Sequence, residues 1–177
     1  MEDHSHNNRR VIQVFIASPS DLKEERRRFR KIIEEVNLSK AYGSGIQLEP
    51  HGWEDTLPGI GRPQDFINKY IDKCGLMIML LRKWWGTPTG KYSSGFEEEY
   101  ERGKCLHGKH SKPDIMLYFR DPPDDMMKDP GKQLQQVLEF KEKIKSERKF
   151  LYKSYEDENE WERLFRNHLS LWLDGFK

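Results

Sequence analysis

The chain has no hydrophobic run long enough to span a bilayer, and mean hydropathy is −0.94. The opening Met1-Glu2-Asp3-His4-Ser5-His6 lacks the apolar stretch of a secretory signal, so a cytoplasmic location is the default expectation. Two cysteines, Cys74 and Cys105, are too few for a disulfide framework and suit a reducing compartment. A net charge of +1 gives no global attraction for nucleic acid, and neither nucleic acid nor membrane is expected as a direct partner. No internal repeat is visible. Cys105-Leu106-His107-Gly108-Lys109-His110 has metal-ligand letters, but it sits at a Gly- and Lys-rich helix exit without a second cluster, so no metal site is expected.

The 177 residues do contain enough apolar material, 35%, for one compact core. Residues 1–10 read as a polar, disordered tail and 11–177 as one domain, expected to be the N-terminal module of a longer protein. Val11 to Ala17 is a β-branched run that reads as a buried strand. Ser18-Pro19-Ser20-Asp21 follows, with Asp21 and Glu24 at capping-box spacing before a helix from Ser20 to Val36. Its inner side is marked by Leu22, Arg26, Phe29, Ile32, Ile33 and Val36. Residues 41–45 read as a loop. Residues 46–53 read as an edge strand because of Pro50. Pro63 is placed to begin a helix through Lys73 with Phe66, Ile67 and Tyr70 inward.

Gly75 to Leu81 is apolar at almost every position, as expected of a central strand covered on both faces. A helix from Ser94 to Leu106, a strand over 115–119, a loop over 121–131, a helix over 133–147, a strand over 150–152 and a closing helix over 158–173 complete the pattern. Five strands alternating with helices imply right-handed crossovers and a parallel sheet. The predicted architecture is α/β, a flavodoxin-like three-layer fold with a five-stranded parallel sheet in the order 2-1-3-4-5.

The most informative stretch is Ser93-Ser94-Gly95-Phe96-Glu97-Glu98-Glu99-Tyr100. Phe96, Glu99, Tyr100 and Gly103 share one helical face, whereas Glu97, Glu98 and Glu101 point elsewhere. A single carboxylate is thus aimed inward at the carboxyl edge of a central strand, where ligands bind in open α/β sheets. The plain alternative is a helix carboxylate paired with Arg82 or Arg102. Ser18, Ser20 and Asp21 are adequately explained as helix caps, and Trp84 and Trp85 as core or interface plugs.

Val14 to Arg26, with its strand, Ser-rich turn, Asp21-Leu22 and Glu25-Arg26, resembles the opening signature of TIR-like domains. Trp85-Gly86, Tyr92-Ser93-Ser94-Gly95 and Glu97-Glu98-Glu99-Tyr100 are similar to a second signature, and Tyr155…Trp161-Glu162…His168-Leu169…Trp172-Leu173 to the closing helix. Phe96 stands where members more often carry a threonine. The resemblance implies an N-terminal effector module of a larger protein in defence or innate-immune signalling. It implies cleavage of the nicotinamide–ribose bond of NAD⁺ as substrate, with no bound cofactor, on self-association and under control of downstream domains.

By position the resemblance makes Glu99 the catalytic carboxylate, which would stabilise an oxocarbenium-like ribose. Trp53, Trp84 and Trp85 would offer stacking surface, and Ser18, Ser20 and Ser94 polar contacts to the substrate. Two other readings stay open. One is a non-catalytic TIR-like adaptor for homotypic assembly. The other is a nucleoside deoxyribosyltransferase-like enzyme, which would need a base pocket built from acids such as Asp55, Asp65 and Asp72.

Overall fold

The computed structural model describes residues 9–176. Most of the expected polar tail, residues 1–8, lies outside the described residues, as does residue 177. The elements run β1 (Arg10–Ala17), α1 (Lys23–Val36), β2 (Ile46–His51), α2 (Pro63–Ile71), β3 (Leu76–Leu81), α3 (Gly95–His110), β4 (Asp114–Arg120), α4 (Asp124–Lys128), α5 (Lys132–Glu147), β5 (Tyr152–Tyr155) and α6 (Glu158–Asp174). All four strand pairings are parallel and the sheet order is β2-β1-β3-β4-β5, which is the flavodoxin-like topology.

The layers follow from the two-residue period of the strands. Val14 and Ile16 of β1 and Leu76, Ile78 and Leu80 of β3 face one side, where they meet Phe29, Ile32 and Ile33 of α1 and Trp161, Phe165 and Leu169 of α6. Phe15 and Ala17 with Met77, Met79 and Leu81 face the other, against Ile71, Phe96, Tyr100, Val137 and Phe140 of α2, α3 and α5. Every residue of β3 is buried, as a strand covered on both faces must be. Pro50 lies in β2, an edge strand, where its missing N–H leaves no ladder bond unmade.

Several local expectations are corrected. Helix α1 begins at Lys23, not Ser20, and Leu22 occupies the cap position without a side-chain cap bond. The Asp21–Glu24 box does not form, because Asp21 Oδ2 instead accepts from the Lys83 backbone N–H at 3.2 Å and Glu24 is held by Arg27 and Arg28. Most of the expected 41–45 loop is helical: Asn37–Ala41 form a π-helical turn and Tyr42–Ser44 a 3-10 turn. Residues 124–128 form α4 within the expected loop. Strand β5 starts two residues later than expected and ends at Tyr155, which is buried and whose hydroxyl donates to Glu25.

The inner face of α2 is the largest revision. Gln64, Asn68 and Ile71 are the buried positions, while Phe66, Ile67 and Tyr70 are half-buried. A polar inner face is tolerated only where it finds polar partners, and α3 supplies them.

Candidate functional site

Helix α3 leaves the carboxyl end of the central strand, and its first turns carry three consecutive carboxylates with three different fates. Ser94 is the N-cap, its Oγ accepting from the Glu97 N–H at 3.1 Å. Glu97 turns back over the cap, accepting from Ser93 N–H at 2.8 Å and Ser93 Oγ at 2.6 Å. Ser94 is fully buried and occupied with capping, so it presents no polar atom to a ligand.

Glu98 was expected on the outer face. Instead its side chain is 7% exposed and takes four bonds. Arg62 donates to both oxygens, Nη1 to Oε2 at 2.9 Å and Nη2 to Oε1 at 2.6 Å; Asn68 Nδ2 donates at 3.0 Å and Thr89 Oγ1 at 2.6 Å. The Arg62 bonds, foremost, hold its carboxyl down at about 2, with Thr89 and Asn68 adding to them against the cost of burial.

Glu99 has the opposite environment. It is 8% exposed and accepts one bond, from Gln64 Nε2 at 3.1 Å. Burial pushes its carboxyl up to about 7; Gln64 opposes that rise and the neighbouring Glu98 charge adds to it. Two adjacent carboxyls whose environments drive them apart form the usual pattern of an acid/base site. Neither Arg82 nor Arg102 pairs with Glu99, since Arg102 is engaged bidentately by Asp72. The close approach of α2 and α3 depends on Gly95, where a Cβ would stand 2.9 Å from Gln64 Oε1.

A cavity of about 680 Å³ opens beside this cluster, lined by Arg62, Asn68, Thr89, Tyr92, Glu98 and Arg102 among others. Glu98 is on its wall, whereas Glu99 sits behind that wall. The expectation of a carboxylate at the sheet edge that opens onto a cleft is therefore corrected for Glu99, which is buried and held by Gln64.

The remaining expected site residues do not converge on Glu99. Trp85 is 4% exposed, with Nε1 donating to Ser93 Oγ at 2.9 Å and its ring against Phe96 and Phe140, so it is a core plug and not a substrate wall. Trp53 is half-exposed beneath the Arg26 guanidinium, 5.8 Å from its ring. Ser18 Oγ accepts from Arg26 Nη1 at 3.1 Å, and the same nitrogen reaches Pro19 O at 2.6 Å, which ties the first strand–helix turn together. Ser20 and Trp84 line a separate cavity.

Asp55, Asp65 and Asp72 are held in separate ion pairs with Arg30, Arg62 and Arg102, so they do not gather into a base pocket. Among the described residues, no group of three or more His, Cys, Asp or Glu is placed to hold a metal ion. Nor, among those residues, is any helix long and apolar enough to cross a membrane.

One buried acid at the sheet edge was not expected from sequence. Glu25 of α1, 1% exposed, accepts from Arg120 Nη1 at 2.9 Å and from the Tyr155 hydroxyl at 3.1 Å. Its signal was its position beside the inward-facing Arg26 on a helix with an unusually charged inner stripe. Both of these bonds tie α1 to β4 and β5, and Arg120 also reaches Glu158 of α6, which gives the cluster a structural explanation.

No curated protein matches the chain. A family match does cover most of it: over residues 13–170, and so on nearly all of the sheet and five of the helices in full, the chain belongs to the family described as a domain of unknown function, DUF4062.

Proposed function

We propose that this domain is a TIR-like NAD⁺ glycohydrolase with Glu99 as its catalytic carboxylate. The observation that carries the reading is the state of Glu99. It is a buried carboxyl at the start of the helix leaving the central strand, poised near neutrality and anchored by one amide. In the reaction, the ribose C1′–N bond breaks and its electron pair leaves with nicotinamide. The ribose becomes oxocarbenium-like, and water adds at C1′ with loss of a proton. Nicotinamide in NAD⁺ is already a good leaving group, so ionised Glu99 facing the developing cation supplies the principal stabilisation. A cationic nicotinamide beside Glu99 also favours its ionised form, so substrate binding and deprotonation reinforce one another. Gln64 is the positioning residue.

Glu99 is covered in the resting domain, and uncovering it requires the 56–62 loop to release the Arg62 bond. That loop carries Leu57 at 78% and Ile60 at 104% exposure, apolar surface that self-association would bury. The proposed setting is a cytoplasmic defence or innate-immune effector whose downstream domains bring copies together. The same covered Glu99 favours a second reading, a non-catalytic adaptor that uses the exposed loop for homotypic assembly alone.

Nicotinamide release, followed chromatographically with the domain dilute and then clustered on a scaffold, separates the two. Turnover on clustering that disappears in Glu99→Gln supports the enzyme. Clustered wild-type protein that releases no nicotinamide leaves the adaptor.

A further inference from the structure

The order in which successive strands are added to the parallel sheet reverses between β1 and β3. The connection after β1 leads to α1 on one face, and that after β3 leads to α3 on the other. At such a switch point the two connections diverge and leave a crevice at the carboxyl edge, where open α/β sheets bind their ligands. A cavity of about 470 Å³ lies there, in the range of small-molecule sites. Its walls include Ser20 and Asp21 from the first connection, Lys83 and Trp84 from the second, Met126 of α4 and Lys132 of α5. Gln64, Glu98 and Glu99 are not among its lining residues.

Four features of this crevice are unspent by the fold. Trp84 is 42% exposed, and among the described residues its ring meets no other ring or cation. Asp21 fixes the second connection through Oδ2, while its Oδ1 is buried with no hydrogen-bond partner. Lys83 and Lys132 pair with no carboxylate among the described residues. The first turn of the 16-residue α5 has a glycine at its cap, no side-chain cap bond and no acid, which leaves its N–H groups open. The walls are preformed: Gln133 Oε1 accepts from the Trp85 and Gly86 N–H groups at 2.7 and 3.0 Å, and its Nε2 donates to Gly86 O at 3.2 Å.

We propose that this crevice binds a nucleoside diphosphate at a site distinct from Glu99. The base lies against Trp84 and Met126, a ribose hydroxyl donates to Asp21 Oδ1, and the phosphates meet Lys83, Lys132 and the start of α5. The chemistry excludes simpler occupants. A bare phosphate would leave Trp84 uncovered and Asp21 beside an anion with no donor between them. A neutral apolar ligand would leave both lysines and Asp21 Oδ1 unanswered. The inference does not rest on any reaction at Glu99.

The test is titration of the full chain with ADP, by calorimetry and tryptophan fluorescence. Saturable one-to-one binding is expected, equal in wild type and Glu99→Gln. Trp84→Ala, at an exposed position that the core does not use, should weaken it on the order of ten-fold or more, and Trp84→Phe should restore most of the affinity. Lys83→Gln with Lys132→Gln should weaken binding and flatten its salt dependence. No saturable binding, or unchanged affinity in Trp84→Ala, overturns the assignment. So does inorganic phosphate competing as well as ADP. Adding NAD⁺ to the ADP-loaded Glu99→Gln protein identifies the source: displacement at comparable concentration points to the diphosphate half of a dinucleotide, and no displacement to a free nucleotide. Both outcomes uphold the diphosphate site.

Discussion

Arg62 and Glu98 meet in a two-point ion pair, Nη1 to Oε2 at 2.9 Å and Nη2 to Oε1 at 2.6 Å, that fastens the loop before α2 onto the first turn of α3. The pair lines the cavity, whereas Glu99, the carboxylate with the best chemical credentials, is buried and is not among the residues lining it. The two acids are neighbours in sequence and should respond oppositely to pH and to substitution.

Glu99→Gln should abolish NAD⁺ cleavage, lowering turnover of the clustered domain on the order of 10²–10³-fold, because the amide keeps the Gln64 bond but removes the charge facing the oxocarbenium ion. Glu97→Gln should be much milder, since Glu97 is committed to the cap of its own helix. Near-wild-type turnover by Glu99→Gln would sink the carboxylate mechanism.

The same substitution should stabilise the fold in a pH-dependent way. Glu99 is raised from an ordinary 4.5 to about 7 in the folded protein, so between those values the unfolded chain releases a proton that the folded one retains. Its contribution to stability is therefore intact below about 4.5, declines as pH rises to about 7, and is flat above that. Glu99→Gln should match wild type in urea melts near pH 4 and exceed it near pH 8 by up to about 3 kcal/mol. A constant difference across that range would show that Glu99 is not the titrating group.

Glu98 carries the opposite sign. Held at about 2 when folded, it contributes stability that is fully present above about 4.5 and lost as pH falls toward 2. Glu98→Gln should cost about 1–3 kcal/mol at pH 7, because Asn68 and Thr89 lose a charged acceptor and Arg62 its counter-ion. That deficit should shrink steadily in melts taken from pH 5 to pH 2, and a deficit independent of pH would contradict the assignment.

Two glycines of α3 make a matched test of packing. At Gly103 a Cβ would stand 2.5 Å from Met77 Sδ on β3, whereas at Gly108 it would meet nothing within 4 Å. Gly103→Ala should destabilise by about 1–3 kcal/mol through overpacking, and Gly108→Ala should stabilise by a few tenths to about 1 kcal/mol through helix propensity. Thermal melts that rank the two in reverse would place α3 differently on the sheet.

Leu57→Asp together with Ile60→Asp should leave the melting temperature nearly unchanged, because both side chains already face solvent. If the loop is the assembly surface, the double variant should lose self-association in light scattering and lose activity gained on clustering by mass action. Unaltered association would move the interface elsewhere.

What was readable from the chain follows from periodicity. The unbroken apolar run Leu76 to Leu81 can exist only between two helical layers, and Pro50 can sit without penalty only at an edge, so β3 at the centre and β2 outside were both legible. The inward turn of Glu99 with Phe96, Tyr100 and Gly103 was likewise legible from helical spacing. Glu98 was not. A one-face rule assumes that an amphipathic helix touches a single neighbour, but α3 rests on the sheet and also on α2. Gln64 and Asn68 were not among the residues read as the inner face of α2, and their burial depends on Glu99 and Glu98, two carboxylates distant in sequence that no local pattern reveals.

The sequence by itself determined the α/β alternation, the parallel sheet and the position of a carboxylate at the edge of its central strand, because these follow from short-range period and chain handedness. Only the tertiary structure decided that Trp85 is core while Trp84 faces a crevice with Ser20, that Asp21 braces a loop rather than a helix, and that Glu98 is clasped while Glu99 is left with one amide. Those outcomes depend on which buried polar atoms find partners across elements distant in the chain. Unpaired polar burial costs enough to decide such arrangements, and the partners exist only after the layers have closed.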